Sequence, residues 1–232
     1  MKKQTVGGLP GKVLGMLADL MLKLQNGVIT PGQLARFLKK ENPFEKGGFS
    51  EITAGWEGFY KKFFGKEYDF SDVVIPERPN VGRWRLLIIA DLTLEQLYAK
   101  CKEQFKCWRW TDDDLDKKVA WNERDAKNGA YAIWVKDETE ADENLKDLSA
   151  NDIKSKGITT ETLAEHLIHE LKYFDETGEH LDIKNVTLCA GSRYGDGYVP
   201  SVDWHSSLDR MDVDRYYPDS ADGHRRSRQT VS

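Results

Sequence analysis

The chain has 232 residues, a mass of 26.6 kDa, 39% hydrophobic and 31% charged side chains, and a formal net charge of −5 with a pI near 5.6. That acidic balance disfavours a dedicated nucleic-acid binder, whose affinity rests on neutralising phosphates. No run approaches the roughly 18 apolar residues that span a bilayer, and Cys101, Cys107 and Cys189 are too scattered for a disulfide framework.

Residues 1–45 read as a helical hairpin. Val13, Leu14, Leu17, Leu20, Met21 and Leu24 recur at helical spacing until Asn26-Gly27, and Thr30-Pro31 restarts a helix as N-cap and first residue. The interruption of the apolar run by Asp19 and Lys23, with no cleavage signature, argues against a signal peptide, and a cytoplasmic location is expected. Arg36, Lys39 and Lys40 could meet phosphate on the second helix. Two helices without a third to support them favour a packing hairpin over a DNA-reading helix-turn-helix.

Residues 46–80 form an aromatic helix and a linker. After Gly47-Gly48, Trp56, Phe59, Tyr60, Phe63 and Phe64 fall on one helical face, with Lys61, Lys62 and Lys66 beside them. Such a stripe is commonly core. Exposed, it would stack bases or hold a macromolecular partner, which makes Trp56, Tyr60, Lys61 and Lys62 candidate binding residues. The sequence PERP at 76–79 reads as an extended linker and the clearest domain boundary.

Residues 81–232 carry a mixed pattern of strands and helices. The run RLLIIA at 85–90 is a buried strand, Thr93 to Gln96 is a capping box, and Leu94, Leu97, Tyr98, Cys101 and Phe105 mark one helical face. A short strand follows at 107–110. The aspartates at 112–114 and Asp116 fit helix capping better than a calcium loop, whose spacing they lack. A strand is expected at 131–135, and the acidic run at 137–147 reads as a solvated loop or helix face.

The densest stretch runs from 157 to 204. A helix starts at Thr159 or Thr160 and stops at Gly178, with Leu163, Leu167, Leu171 and Phe174 facing the core. His166, His169 and Tyr173 lie on another stripe, with Glu170 between it and the apolar face; it reads as solvated or partner-facing. Two histidines at i, i+3 with a carboxylate can converge on an ion, but the pattern is not H-E-x-x-H, so no metal ligand is assigned and no cofactor is identified. A strand at 186–190 turns through Gly195-Asp196-Gly197 into a second at 198–204, where Pro200 suggests an edge or bulge. The loop around Arg193 resembles a phosphate cradle but leads into a strand rather than a helix, so a plain turn is favoured. A third strand can follow within 208–217, and the basic tail at 225–228 reads as a disordered terminus.

The segments CWRWTDDDLD at 107–116, AYAIWVKDETEADE at 130–143, HLDIKNVTLCAGSRYGDGYVP at 180–200 and the terminal RSRQTVS resemble an uncharacterised bacterial protein family. That resemblance covers most of 85–232, with the N-terminal helices resembling the family's more loosely, and implies no activity, cofactor or partner.

These observations predict an α+β fold: a helical hairpin (1–45), an aromatic helix and linker (46–80), and a mixed sheet of about five strands flanked by two or three helices (81–232). Function divides two ways. The favoured one is a non-catalytic module binding a macromolecular partner; nucleic acid is not favoured as that partner. The alternative is a hydrolase or phosphoester-cleaving enzyme, with His169 or His180 as acid–base, Arg193 holding an anion, and Asp196 or the 112–114 cluster holding a metal. It requires those groups to line one pocket.

Overall fold

A computed structural model describes residues 11–38 and 50–232, apart from the side chains of Lys12, Leu14 and Arg36. The chain divides into two compact units, Met1–Ile52 and Thr53–Ser232. The first contains α1 (Gly11–Gln25) and α2 (Pro31–Leu38). Thr30 caps α2 as expected: its hydroxyl accepts from Gln33 N at 3.2 Å while Gln33 Oε1 accepts from Thr30 N at 2.9 Å. Lys39, Lys40, Gly47-Gly48 and the expected boundary at 45 lie outside the described residues.

The next helix, α3 (Ser50–Phe64), runs into the second unit, which is α+β. In chain order it continues with β1 (Trp84–Ile89), α4 (Leu94–Gln104), β2 (Cys107–Arg109), α5 (Leu115–Lys118), β3 (Val119–Asn122) and β4 (Tyr131–Lys136). A 3-10 turn (Glu143–Leu145), α6 (Ala150–Ser155), α7 (Leu163–Thr177), β5 (Val186–Leu188) and β6 (Ser192–Tyr194) follow. The chain ends with β7 (Val199–His205), β8 (Arg210–Tyr216), β9 (Arg225–Arg226) and β10 (Thr230–Val231).

The aromatic stripe of α3 is core, not a binding surface. Trp56 and Tyr60 are 3% and 0% exposed, and Tyr60 packs edge-on against Phe59, Tyr68 and Phe70. Its hydroxyl donates to Ile88 O at 2.7 Å and accepts from Ala90 N at 3.1 Å, which fixes α3 against the end of β1. Rings sealed this way cannot meet a partner. Lys61 and Lys62 are exposed but engaged, with Glu67 and Asp175 respectively. The 76–79 segment is not a free linker either: Pro76 O accepts from the Trp134 indole at 2.9 Å and Arg78 lies over that ring at 5.6 Å.

Three sheets replace the single one expected. β4 is central to a three-stranded antiparallel sheet, β1-β4-β10. A five-stranded sheet runs β2-β8-β7-β5-β9, parallel at its two outer pairs and antiparallel between. β3 and β6 make a separate antiparallel ribbon. β5 and β7 do pair as predicted, Thr187 opposite Val202, but the chain between them detours through β6 to reach β3. Pro200 therefore sits in a central strand, near its start, and contributes its carbonyl to Cys189 N at 2.9 Å.

The basic tail is an ordered clasp. β9 pairs with β5 and β10 with β4, so the last residues tie the two larger sheets together. Between them Ser227 Oγ donates to Leu188 O at 2.8 Å, Asp142 N to Ser227 O at 3.1 Å, and Glu161 N to Arg228 O at 3.0 Å. Composition alone suggested disorder, because the partners that hold this segment come from four distant places in the chain.

Candidate functional site

α7 organises the polar interior. It begins at Thr162, whose hydroxyl accepts from Glu165 N while Glu165 accepts from Thr162 N at 2.7 Å, and ends at Gly178 with φ 72°. Thr159 and Thr160 are used otherwise: Thr159 exchanges bonds with Thr230, and Thr160 bridges to Gln229. Leu163, Leu167 and Leu171 face the core as the spacing predicts, but His166, His169 and Glu170 are buried too, at 1%, 1% and 2% exposure. The polar stripe is not solvated. It lies against an ionic cluster supplied by the chain before β5 and by the tail.

Glu161 accepts from His166 Nδ1 at 2.7 Å and from His169 Nδ1 at 2.9 Å. His166 Nε2 reaches Asp182 at 3.4 Å, and Asp182 also accepts from Thr187 Oγ1 and Arg228 Nη2, each at 2.7 Å. Arg228 further donates to the carbonyls of Glu138 and Thr139 at 2.9 and 2.7 Å. Burial alone would raise the Glu161 carboxyl, but the two histidines hold it well below the usual range. Burial alone would lower His166, yet Glu161 and Asp182 keep it above its ordinary value, whereas burial prevails at His169 and leaves it below. Two carboxylates are thus faced by the Arg228 guanidinium and by both histidine rings, the pairing under which buried ions are tolerated.

The other predicted residues are spent separately. His180 Nδ1 pairs with Glu170 Oε1 at 2.6 Å, while Glu170 Oε2 accepts from Leu181 N at 2.9 Å. The ring stacks on Trp204, with centroids 3.3 Å apart and planes 4° apart, and on Phe174 at 4.8 Å. Arg193 turns inward and donates to the carbonyls of Ala190 and Ser192 at 2.7 Å each, and its pKa is drawn down by burial. Asp196 pairs with Arg215 at 2.6 Å. His169, His180, Arg193 and Asp196 therefore each answer to a different set of partners.

The acidic cluster is also structural. Asp114 caps α5, and Asp116 accepts from Leu94 N and Glu95 N at 2.8 and 3.1 Å, capping α4 from outside. Among the described residues, no three His, Cys, Asp or Glu side chains are grouped so as to hold a metal ion. All three cysteines are free; burial raises the Cys101 and Cys189 thiols well above the ordinary value and pushes Cys107 up to about 12, the reverse of an activated nucleophile.

One hollow has a different character. A cavity of about 190 Å³ is lined by Trp110, Lys117, Lys118, Tyr194, Gly195 and Asp196. Gly195 N donates to Lys118 O at 2.8 Å, which joins the turn after β6 to the end of α5, and Trp110, just beyond β2, forms part of the lining. Trp110 and Tyr194 meet edge-on with centroids 5.5 Å apart. Burial raises the Tyr194 phenol above its ordinary value and the Trp110 indole N–H offsets part of that rise; both the Trp110 Nε1 and the Tyr194 hydroxyl are buried behind the lining. Arg215 covers the Trp110 ring at 3.9 Å and Lys118 Nζ stands 5.7 Å from it.

Comparison of the chain with protein-family models, curated proteins and solved structures found no match. Of the candidate catalytic and binding residues singled out from the sequence, Asp196 alone belongs to this cavity, beside Gly195 of the same expected turn. Trp110, Lys118 and Tyr194 were missed because they come from three segments with no common spacing. Adjacent Lys117-Lys118 and the tryptophan of CWRW were the visible hints, and neither carries chemistry alone.

Proposed function

We propose that the protein is a cytoplasmic, non-catalytic binding module whose recognition site is the cavity between α5 and the turn joining β6 to β7. What supports this reading is that the candidate catalytic groups lie apart from one another and, Asp196 excepted, away from the cavity. His166 and His169 turn to Glu161 through their Nδ1 atoms, His180 pairs with Glu170, and Arg193 donates to backbone carbonyls, so these groups do not converge on one pocket. The cavity is instead lined by side chains of mixed chemistry that an incoming small ligand can meet. The lining contains indole, phenol and ammonium groups but no histidine or cysteine, a set suited to holding a ligand.

A thermal-shift panel of small acids, amines and sugars tests this. At least one compound is expected to raise the melting temperature of the wild-type protein, and Lys118→Glu is expected to abolish that rise while His180→Gln leaves it intact. Turnover of a panel compound that depends on His180 would contradict the reading and favour the enzyme.

A further inference from the structure

We propose that the hairpin of α1 and α2 docks on the same hairpin of a second copy of this chain, so that four helices share one apolar seam and the protein is a dimer. This surface belongs to the first compact unit and is independent of the cavity.

Each helix has an apolar side. Val13, Met16, Leu17, Leu20, Met21 and Leu24 recur at helical spacing along α1, and Leu34, Phe37 and Leu38 stand at i, i+3 and i+4 on α2. Helices of 15 and 8 residues are marginal in water unless that side packs on something. Within this unit it does not pack: none of the described side chains from 11 to 38 is buried. Met16, Met21, Phe37 and Leu38 are 64%, 63%, 60% and 71% exposed, and Leu17 is 43% exposed. Single apolar residues are ordinary on a surface, but five of them on two consecutive helices mark an interaction site.

Area, charge and symmetry select a second copy as the occupant. Open side chains of this size present roughly 150–200 Å² each, so these five expose on the order of 500 Å². The half-buried Val13, Leu20, Leu24 and Leu34 extend the same sides towards the roughly 800 Å² per partner of a stable interface. The described charged side chains of the hairpin, Asp19 and Lys23, pair with each other at 2.8 Å, which leaves no charge for a partner to match. An apolar side is complementary to itself, and a two-fold axis lays one hairpin on the other in the manner of a four-helix bundle. The second unit offers no comparable stripe among its described residues. Its exposed large apolar side chains, such as Val74, Trp108, Ile183 and Leu208, come singly from separate segments.

Light scattering of the full chain eluting from a sizing column at high micromolar concentration tests this. A mass twice 26.6 kDa is expected. Met21→Glu should raise the dissociation constant of the dimer roughly tenfold or more. The tryptophan-fluorescence melt should not change, because all seven tryptophans lie in the second unit. Leu38→Glu, on α2, should weaken the dimer in the same way and decides the matter if Met21→Glu fails to fold, while Val81→Glu, in the second unit, should leave it intact. The proposal is overturned if the wild-type chain runs at 26.6 kDa, if the dimer survives Met21→Glu undiminished, or if Val81→Glu disrupts it equally. A 26.6 kDa chain that sediments with vesicles of equal parts phosphatidylcholine and phosphatidylserine, and loses them in Met21→Glu, would also overturn it and give the surface to a membrane.

Discussion

Arg228→Met is expected to cost roughly 3–5 kcal/mol of folding free energy. The guanidinium is 1% exposed and donates to Asp182 and to the carbonyls of Glu138 and Thr139. Methionine fills similar space but leaves Asp182 buried opposite one cation fewer and strands two carbonyls without their donors. The loss should spread to His166, whose Nε2 faces Asp182 at 3.4 Å, and to the clasp, since Glu161 N bonds to the backbone of Arg228 itself. Arg226→Met is the matched control. That side chain pairs with Glu143, which is 71% exposed, and its loss should cost no more than about 1 kcal/mol. Urea unfolding followed by tryptophan fluorescence separates the two; equal midpoints for the two variants would mean that the tail is not clasped as described.

Gly191→Ala should cost about 3 kcal/mol, the upper part of the range for overpacking. A Cβ there would stand 2.7 Å from Thr160 O and 3.0 Å from Glu161 O. Neither carbonyl can retreat cheaply. Thr160 O accepts from Arg124 Nη2 at 2.7 Å, and Glu161 O accepts from the amide of Gly191 at 3.1 Å. Arg124 is in turn fixed by Glu165, to which it donates at 2.8 and 2.9 Å, so a shift would disturb the start of α7. Gly195→Ala provides the contrast, because its Cβ would approach nothing closer than 3.8 Å. Thermal melts should show a large drop for the first and little change for the second. Indistinguishable melts would remove the close approach from the account.

Periodicity reported what it could. The apolar face of α7, its glycine stop and the strands around 85–90 and 131–135 follow from spacing and turn chemistry within a dozen residues. The polar face of the same helix read as solvated because a hydrophobic period identifies which side must be buried, not which other side also is. Burying His166 and His169 depends on Glu161, Asp182 and Arg228, and the last lies 62 positions beyond His166 by its own number. The tail failed for the same reason: its arginines look like a solvated terminus until Asp182 is placed opposite one of them. The aromatic stripe of α3 carried both readings, and the hydroxyl of Tyr60 bonded to β1 decides for core. The cavity was the least legible feature, since its walls come from the end of β2, the end of α5 and a turn, each unremarkable alone.

The most direct test is proton–nitrogen NMR of the seven indole N–H groups as a compound that raises the melting temperature is added. The Trp110 resonance should move, because its side chain lines the cavity, while the Trp204 resonance, beside His180, stays in place. A stationary Trp110 signal, with shifts at Trp204 instead, would contradict the account and move the functional site to His180 and Glu170.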